Sequence, residues 1–133
     1  PVVATIVDMG NPHCVLLVED ERTAPVEELG AELERHPRFP AGTNVEFLSR
    51  RADGWHLRVW ERGVGETQAC GSGACAAAVA VVGKSLATWP VRLRLPGGTL
   101  EVDLRADGNV VLTGPVEEHG SGEWRSVRSP RAG

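Results

Sequence analysis

Short runs of β-branched and aliphatic residues alternate with turns rich in Gly and Pro along most of the chain. Runs of this kind are typical of β-strands. Eight of them are predicted as strands, at residues 2–8, 14–19, 43–48, 55–62, 91–95, 99–105, 109–113 and 123–128. The third and fourth alternate between apolar and polar positions like half-buried strands, and Ala52-Asp53-Gly54 between them predicts a hairpin turn.

Two segments have helical patterns instead. Residues 26–36 place Val26, Leu29 and Leu33 on one face of a helix that Pro37 would end, with most of its acidic residues facing water. Residues 69–82 (ACGSGACAAAVAVV) carry no charge and have small side chains on every face, which predicts a buried helix. The pattern favours an α+β fold, in which a curled, largely antiparallel mixed sheet is wrapped as a barrel around a central buried helix, with one or two peripheral helices.

Composition narrows the possible functions. The 133 residues have the size of one domain, or of one half of a two-domain protein, and a hydrophobic content of 41% excludes a disordered chain. A formal charge of −4 without a Lys/Arg cluster argues against nucleic acid or an anionic membrane as partner. No apolar run is long enough for a membrane span. A small-molecule site or a protein interface remains.

The cysteines indicate a reducing compartment. Cys14, Cys70 and Cys75 are an odd number without a Cys-x-x-Cys spacing, unlike a secreted disulfide scaffold. No signal peptide is recognisable, so a cytoplasmic protein is predicted. The chain opens at Pro1 directly into a strand-like run. We therefore expect it to be a domain cut from a longer protein.

Residues 61–73 (ERGVGETQACGSG) are the segment richest in candidate chemistry, because a charged strand end leads through a Gly-rich turn into the buried helix. Amide N–H groups at a helix N-terminus bind anions, and glycines let a ligand approach the backbone. The same helix end lowers a thiol pKa, so Cys70 is expected to be a thiolate near neutral pH. A carboxylate on the N–H groups of Gly71 and Ser72 would present its α-carbon to that sulphur, a geometry for α-proton chemistry.

The other interpretation of a free cysteine is a small buried hydrophobe, and this is predicted for Cys14 and Cys75, which lie in apolar segments. The flanking glycines favour a functional role for Cys70. A metal site formed by Cys70 and Cys75 is disfavoured because no His or Cys partner lies at ligand spacing. A P-loop is disfavoured because the Gly-rich turn lacks the Gly-Lys-Ser/Thr ending.

Two further pairs of polar residues have both a structural and a functional interpretation. Asn11 and His13 lie in a tight turn, either as turn and surface residues or as a carboxylate donor and a group that tunes a nearby thiol. Glu61 and Arg62 are either a solvated pair or a recognition pair, with Arg62 binding a carboxylate and Glu61 an ammonium group.

Several motifs together resemble the diaminopimelate epimerase family. They are Gly-Asn-Pro-His-Cys at 10–14, Asn44 in its strand, Glu-Arg-Gly-Val-Gly-Glu-Thr at 61–67, Ala-Cys-Gly-Ser-Gly-Ala-Cys-Ala-Ala at 69–77, and Leu-Pro-Gly-Gly-Thr-Leu and Leu-Thr-Gly-Pro-Val near 95–116. Each motif is weak alone, but together they match the order and approximate spacing of the family over nearly the whole chain.

The resemblance implies cofactor-independent epimerisation of LL-2,6-diaminopimelate to the meso form, on the bacterial route to lysine and peptidoglycan. Two cysteines would face each other across the substrate α-carbon. One removes a proton as a thiolate, and the other returns a proton from the opposite face. Inversion without a cofactor requires such a base and acid on opposite sides of a planar, carbanion-like state.

Position by position, the resemblance implies that Cys70 is catalytic and that His13 and Glu61 modulate thiol pKa values. It implies substrate binding by Asn11, Asn44, Glu61, Arg62, Gly71 and Ser72. It implies no metal. Cys14 and Cys75 match positions without a catalytic role, in agreement with the structural interpretation above.

The family protein has two similar domains, and residues 1–133 resemble the C-terminal one as a single domain. The N-terminal domain with the other catalytic cysteine would be missing, so the chain is expected to be inactive alone. Its tail, 125–133, is expected to belong with that missing domain. The face bearing Cys70 is expected to be exposed and apolar, and to be covered in a homodimer.

Three alternatives stay open. A proline racemase or a phenazine-type isomerase, similar in fold, would use the same carboxylate cradle for another acid. A non-catalytic module would hold an amino-acid carboxylate at Gly71 and Ser72. A cysteine hydrolase would need a His base near Cys70, for which His13 is the candidate.

Overall fold

The computed structural model describes residues 3–116 and 123–127, which contain nine strands and two helices. The strands are β1 Val3–Asp8, β2 Pro12–Leu17, β3 Asn44–Arg51, β4 Gly54–Glu61, β5 Gly65–Thr67, β6 Val91–Leu95, β7 Gly98–Leu104, β8 Val110–Val116 and β9 Glu123–Val127. The helices are α1 Val26–Glu34 and α2 Gly71–Gly83. No helix in this part of the chain is both long and apolar enough to span a membrane.

These strands form one mixed sheet in the order β1-β2-β3-β4-β6-β7-β8-β9, and β5 pairs with β4 beside β6. Most neighbours are antiparallel, while β2 runs parallel to β3 and β4 parallel to β6. A sheet of this many twisted strands curls. The curl lets α2 contact both β1 and β8, near opposite ends of the sheet. The predicted curled sheet around a buried helix is confirmed, as a half-barrel.

The helix α2 can lie inside the curl because its side chains are small. Eight of its residues are buried, and five of those are alanines. Larger side chains from the strands fill the space around it, among them Leu48, Leu57, Val59, Leu93 and Val102. The predicted buried helix at 69–82 is thus confirmed, with Cys70 as its N-cap rather than its second residue.

The helix α1 covers the other face of the sheet, over β3 and β4. It closes a second, smaller core formed by Cys14, Leu16, Val26, Val45 and Phe47. Leu29 and Leu33 pack against this core, so the predicted amphipathic stripe is confirmed.

The strand β3 is buried on both faces, and the prediction of a half-buried strand at 43–48 is wrong. Val45 and Phe47 belong to the core under α1, whereas Leu48 belongs to the core around α2. Glu46 lies on the α2 side too and has no exposed surface. The alternation in the sequence is present, but its polar position faces a helix instead of water.

One strand, β5, was not predicted. β5 is a three-residue strand inside the Gly-rich turn, and it exists because it pairs with the end of β4 at Glu61↔Gly65. β9 pairs with β8 through Glu123–Val127, where a strand was predicted at 123–128, and it includes the first residues of the tail expected to belong with the missing domain. The rest of that tail, 128–133, lies outside the described residues.

Candidate active site

The polar residues singled out in the sequence meet at one edge of the sheet. β2 and β3 are parallel and begin side by side, with His13 paired to Asn44. β4 is antiparallel to β3, so its last residue, Glu61, arrives at the same edge. From there β5 leads into Cys70 at the start of α2. The strand register therefore brings together four distant segments of the sequence.

Cys70 is the N-cap of α2. Its backbone is extended, with φ −143° and ψ 109°, and its Sγ accepts a hydrogen bond from the N–H of Gly73 at 3.3 Å. The hydroxyl oxygen of Ser72 lies 3.6 Å from the same sulphur. Only 7% of Cys70 is exposed, whereas Gln68 and Ala69 just before it are exposed. Val64, in the Gly-rich turn, is 73% exposed.

The thiol of Cys70 is harder to ionise than the sequence suggested. Burial, together with a hydrogen bond to Glu61, raises its pKa to about 11, although Ser72 and the N–H of Gly73 act in the opposite direction. The prediction of a thiolate near neutral pH is therefore wrong for this chain. Desolvation and a nearby carboxylate outweigh the helix N-terminus. Glu61 acts on the Cys70 pKa in the upward direction, through its hydrogen bond and its charge.

Two amide donors at the start of α2 indicate a possible anion-binding position. Among the described residues, no acceptor pairs with the N–H of Gly71 or of Ser72. Gly71 is also required for close packing, because a Cβ there would lie 2.7 Å from Cδ2 of Leu112. The amide groups of the first helical turn are those that bind anions in other proteins.

The side-chain amide of Asn44 makes most of its possible hydrogen bonds within the protein. Its Nδ2 donates to the carbonyl of Pro12 at 3.1 Å, and its Oδ1 accepts from the N–H of Arg62 at 2.8 Å. Only 6% of the residue is exposed. Asn44 thus joins the start of β2 to the end of β4, and one Nδ2 hydrogen is left for a ligand.

Arg62 and the turn that follows it are tied to other parts of the chain. The guanidinium of Arg62 donates to the carbonyl of Ala41 at 3.0 Å and is exposed. Glu34, at the end of α1, accepts from Gly63 N at 3.2 Å and from Trp60 Nε1 at 2.7 Å. Glu61 contacts Cys70, whereas Arg62 points towards Ala41, so the two residues do not form a pair with each other in this structure.

Asn11 and His13 are linked through a residue that the sequence analysis did not single out. His13 Nε2 lies 3.2 Å from Oδ1 of Asn11, and His13 Nδ1 lies 2.7 Å from Oε2 of Glu46. His13 does not contact Cys70 directly. A carboxylate between Val45 and Phe47, the only acidic residue of β3, is the signal that could have identified Glu46.

The remaining cysteines behave as core residues. Cys14 and Cys75 are free, with 3% and no exposure, and burial raises their pKa values to about 11 and about 12. Inert thiols of this kind are structural. Within residues 3–116 and 123–127, no cluster of three or more His, Cys, Asp or Glu side chains could hold a metal ion.

Comparison with known sequences relates this arrangement to one family. Residues 5–118 match the sequence model of the diaminopimelate epimerase family. The diaminopimelate epimerase of Pseudomonas fluorescens (strain Pf0-1) is 52% identical over 130 residues, which cover 94% of this chain and 46% of the relative. That of Leptospira biflexa is 49% identical over 120 residues, covering 90% and 43%. The chain spans about half the length of the curated relatives it matches.

Comparison with solved structures relates the fold to a second group. A phenazine biosynthesis protein of the PhzF family from Enterococcus faecalis superposes with a TM-score of 0.67 at 20% identity, covering 84% of this chain and 43% of the other. A PhzF family protein from Bacillus anthracis gives a TM-score of 0.60 at 16% identity, covering 83% and 38%. These likenesses concern the fold alone.

Proposed function

The chain belongs to the diaminopimelate epimerase family, and on this premise we propose that it is the C-terminal half of a cytoplasmic epimerase that inverts the α-carbon of diaminopimelate. Residues 1–133 would form one domain, and an N-terminal domain would supply the second catalytic cysteine. The match to only about half of each relative supports this division. The proposed reaction uses no cofactor.

The observation that carries the proposal is the position of Cys70 at the start of α2. Cys70 caps the helix whose first two N–H groups, those of Gly71 and Ser72, have no acceptor among the described residues. A substrate carboxylate on these two donors would place the adjoining α-carbon near the sulphur. The same donors would stabilise the negative charge that develops when the α-proton leaves.

The proposed reaction needs one thiol on each side of the α-carbon. A base on one face takes the α-proton, and a planar carbanion-like state forms. An acid on the other face then donates a proton to the carbon. With its pKa raised to about 11, Cys70 keeps its proton at neutral pH and is suited to the acid role. The cysteine of the other half would be the base in that direction, and the roles exchange in reverse.

The other candidate residues lie at the same edge of the sheet. Asn11 and Asn44 would donate to the substrate, and Glu61 and Arg62 would bind its charged groups after Arg62 leaves the carbonyl of Ala41. Glu61 is already coupled to Cys70 by a hydrogen bond. An ammonium group bound at Glu61 would partly neutralise that carboxylate, and the Cys70 pKa would then fall.

The test is exchange of the substrate α-proton with deuterium from D₂O. The chain is incubated with diaminopimelate alone, and then together with the N-terminal half of a relative. We expect exchange only in the second case, and its loss in Cys70→Ala but not in Cys75→Ala. Exchange by the chain alone, lost in Cys70→Ala, would point to a homodimer in which another group supplies the second proton.

Absence of exchange, with the two halves shown to associate, would overturn the assignment to diaminopimelate. Proline and other small acids would then be tested for binding by thermal shift, since a sibling isomerase would use the same donors. A non-catalytic module would instead bind diaminopimelate with equal affinity in wild type and Cys70→Ser.

A further inference from the structure

Glu46 has no role in the reaction steps proposed above, yet its buried contact with His13 lies behind the residues that would hold the substrate. Both side chains have no exposed surface, and Nδ1 of His13 lies 2.7 Å from Oε2 of Glu46. A buried ion pair is seldom more stabilising than an apolar replacement of similar volume. The pair therefore points to a positioning role rather than to a contribution to stability.

The contact follows from the parallel pairing of β2 and β3. His13 pairs with Asn44, and Val15 pairs with Glu46. The side chains of His13 and Glu46 therefore lie on the same face of the sheet, towards α2, on adjacent strands and two residues apart in register. Gly73 lets the helix approach, because a Cβ there would lie 3.1 Å from Oε2 of Glu46 and 3.3 Å from Sγ of Cys70.

The carboxyl group of Glu46 is thus enclosed between β3 and the first turn of α2. Burial raises its pKa, against the opposing influence of His13. Its second oxygen, Oε1, is buried and makes no hydrogen bond to any residue that the structure describes. The hydrogen bond to His13 is therefore the principal polar contact of this carboxyl group.

The second nitrogen of the His13 ring determines how Asn11 is oriented. Nε2 of His13 lies 3.2 Å from Oδ1 of Asn11, and because an amide oxygen only accepts, Nε2 carries a proton. This is independent of where the proton shared with Glu46 resides. If Nδ1 holds it, the ring is an imidazolium. If Oε2 holds it, the carboxyl donates to Nδ1 and the ring is the neutral Nε2–H tautomer.

We propose that Glu46 is a positioning residue that acts through His13 to hold the Asn11 amide with its NH₂ group, and not its oxygen, towards the substrate carboxylate. The role rests on the proposed function, because it presumes that Asn11 binds that carboxylate. The opposite orientation would turn an amide oxygen towards a negative charge. Glu46 thereby favours an anionic group at Asn11.

The direction of the hydrogen bonds is measured on the 133-residue chain by two-bond ¹H–¹⁵N correlation spectra of protein labelled at histidine. These spectra distinguish protonated from unprotonated ring nitrogens. We expect a protonated Nε2 in wild type, and a mixture of His13 tautomers in Glu46→Met, which keeps the side-chain length and removes both oxygens. The matched control is Glu21→Gln, at another buried carboxylate, bonded to Ser49, and it should leave the His13 signals unchanged.

An unprotonated Nε2 in wild type, or unchanged His13 signals in folded Glu46→Met, would overturn the proposal. If Glu46→Met does not fold, Glu46→Gln takes its place. Its amide can either donate to or accept from Nδ1, so we expect a smaller shift in the same direction. Unchanged signals in that variant would likewise count against the proposal.

The second readout is the exchange reaction of the two combined halves. Glu46→Met should raise KM about tenfold or more, with a smaller effect on kcat, because a hydrogen bond to a charged group is weakened. Asn11→Ala should do the same, and the double variant should be no worse than Asn11→Ala alone. Additive losses would contradict an action through Asn11. Absence of exchange in wild type would refute the proposed function, whereas the spectra, which need no turnover, would still decide the orientation of Asn11.

Discussion

At the scale of single residues, two opposed sets of interactions act on the pKa of the Cys70 thiol. The N–H of Gly73 and the hydroxyl of Ser72 stabilise its thiolate, while burial and Glu61 disfavour it, and the second pair of effects is larger. A helix N-terminus therefore does not by itself make a reactive thiol. What surrounds the sulphur in the folded chain decides its protonation.

Alkylation of Cys70 by iodoacetamide should accelerate with rising pH without levelling off below about pH 10, because the thiolate reacts and its pKa is about 11. Glu61→Gln removes the negative charge that raises this pKa, and should increase the rate at mildly alkaline pH by roughly three- to tenfold. Mass spectrometry of the Cys70 peptide gives the rate separately from Cys14 and Cys75. Glu66→Gln is the control, since Glu66 binds Arg58 instead. Equal rates in both variants would show that Glu61 has no such effect.

Asn44 shows that a predicted substrate residue can also be a structural one. Its amide joins Pro12 to Arg62, which connects β2 to the end of β4. The start of β3 depends on this connection, because the strand ends that carry the candidate site meet there.

Replacement of Asn44 by the isosteric Asp should lower the free energy of unfolding by about 1–3 kcal/mol, because the carboxylate cannot donate to the carbonyl of Pro12 and is left facing it. The bond from Arg62 N could be kept, so Asn44→Ala, which loses both, should be at least as destabilising. Urea denaturation measures the differences. An Asp variant as stable as wild type would show that the Pro12 contact contributes nothing.

At the scale of elements, α1 supports the strand that carries Glu61. Trp60 on β4 packs against Gly30 of α1, and its indole N–H donates to Glu34 at 2.7 Å. Glu34 also accepts from Gly63 in the turn beyond β4. The peripheral helix thus fixes the position from which the chain enters β5 and α2.

Gly30→Ala should separate α1 from β4, because the added Cβ would lie 2.6 Å from Cγ of the Trp60 ring. We expect a loss of about 1–3 kcal/mol in the free energy of unfolding, as for other overpacked sites. The matched control is Gly83→Ala in α2, where no atom lies within 4 Å of the added Cβ. That variant should be neutral or more stable by up to about 1 kcal/mol, since Ala is the better helix former. Equal effects in thermal or urea unfolding would contradict the packing argument.

At the scale of the whole molecule, the core contains three thiols whose pKa values are all raised by burial. They are Cys14 and Cys70 at about 11 and Cys75 at about 12, against an ordinary value of 9.0. Below pH 9 both the folded and the unfolded chain keep these protons. At higher pH the unfolded chain releases them first, so the folded state loses stability as pH rises.

The free energy of unfolding should therefore fall between about pH 9 and pH 11, by on the order of 1 kcal/mol per pH unit for each thiol. Urea midpoints across this range measure the slope. The chain has no Tyr, so phenol titration does not contribute. Cys75→Ala should reduce the slope by about a third. A slope that is independent of Cys75 would show that this thiol ionises alike in both states.

Much of the fold could be predicted from the sequence because the pattern along the chain reports local structure. The β-branched runs, the hairpin at 52–54, the amphipathic stripe of α1 and the uncharged segment of α2 each follow from neighbouring residues. The motif around Cys70 also indicated the start of α2 and its donors. β5 was not predicted because its pairing partner, rather than its own three residues, makes it a strand.

The sequence by itself determined every element except β5, the helix that Cys70 caps and the family to which the motifs belong. Only the tertiary structure decided that β3 is covered on both faces, that Glu46 meets His13 from 33 residues away, and that the Cys70 thiol keeps its proton. The physical reason is the range of the interactions. Propensity and periodicity act between neighbours in the chain, whereas desolvation and cross-strand hydrogen bonds depend on which distant segments exclude water from a site.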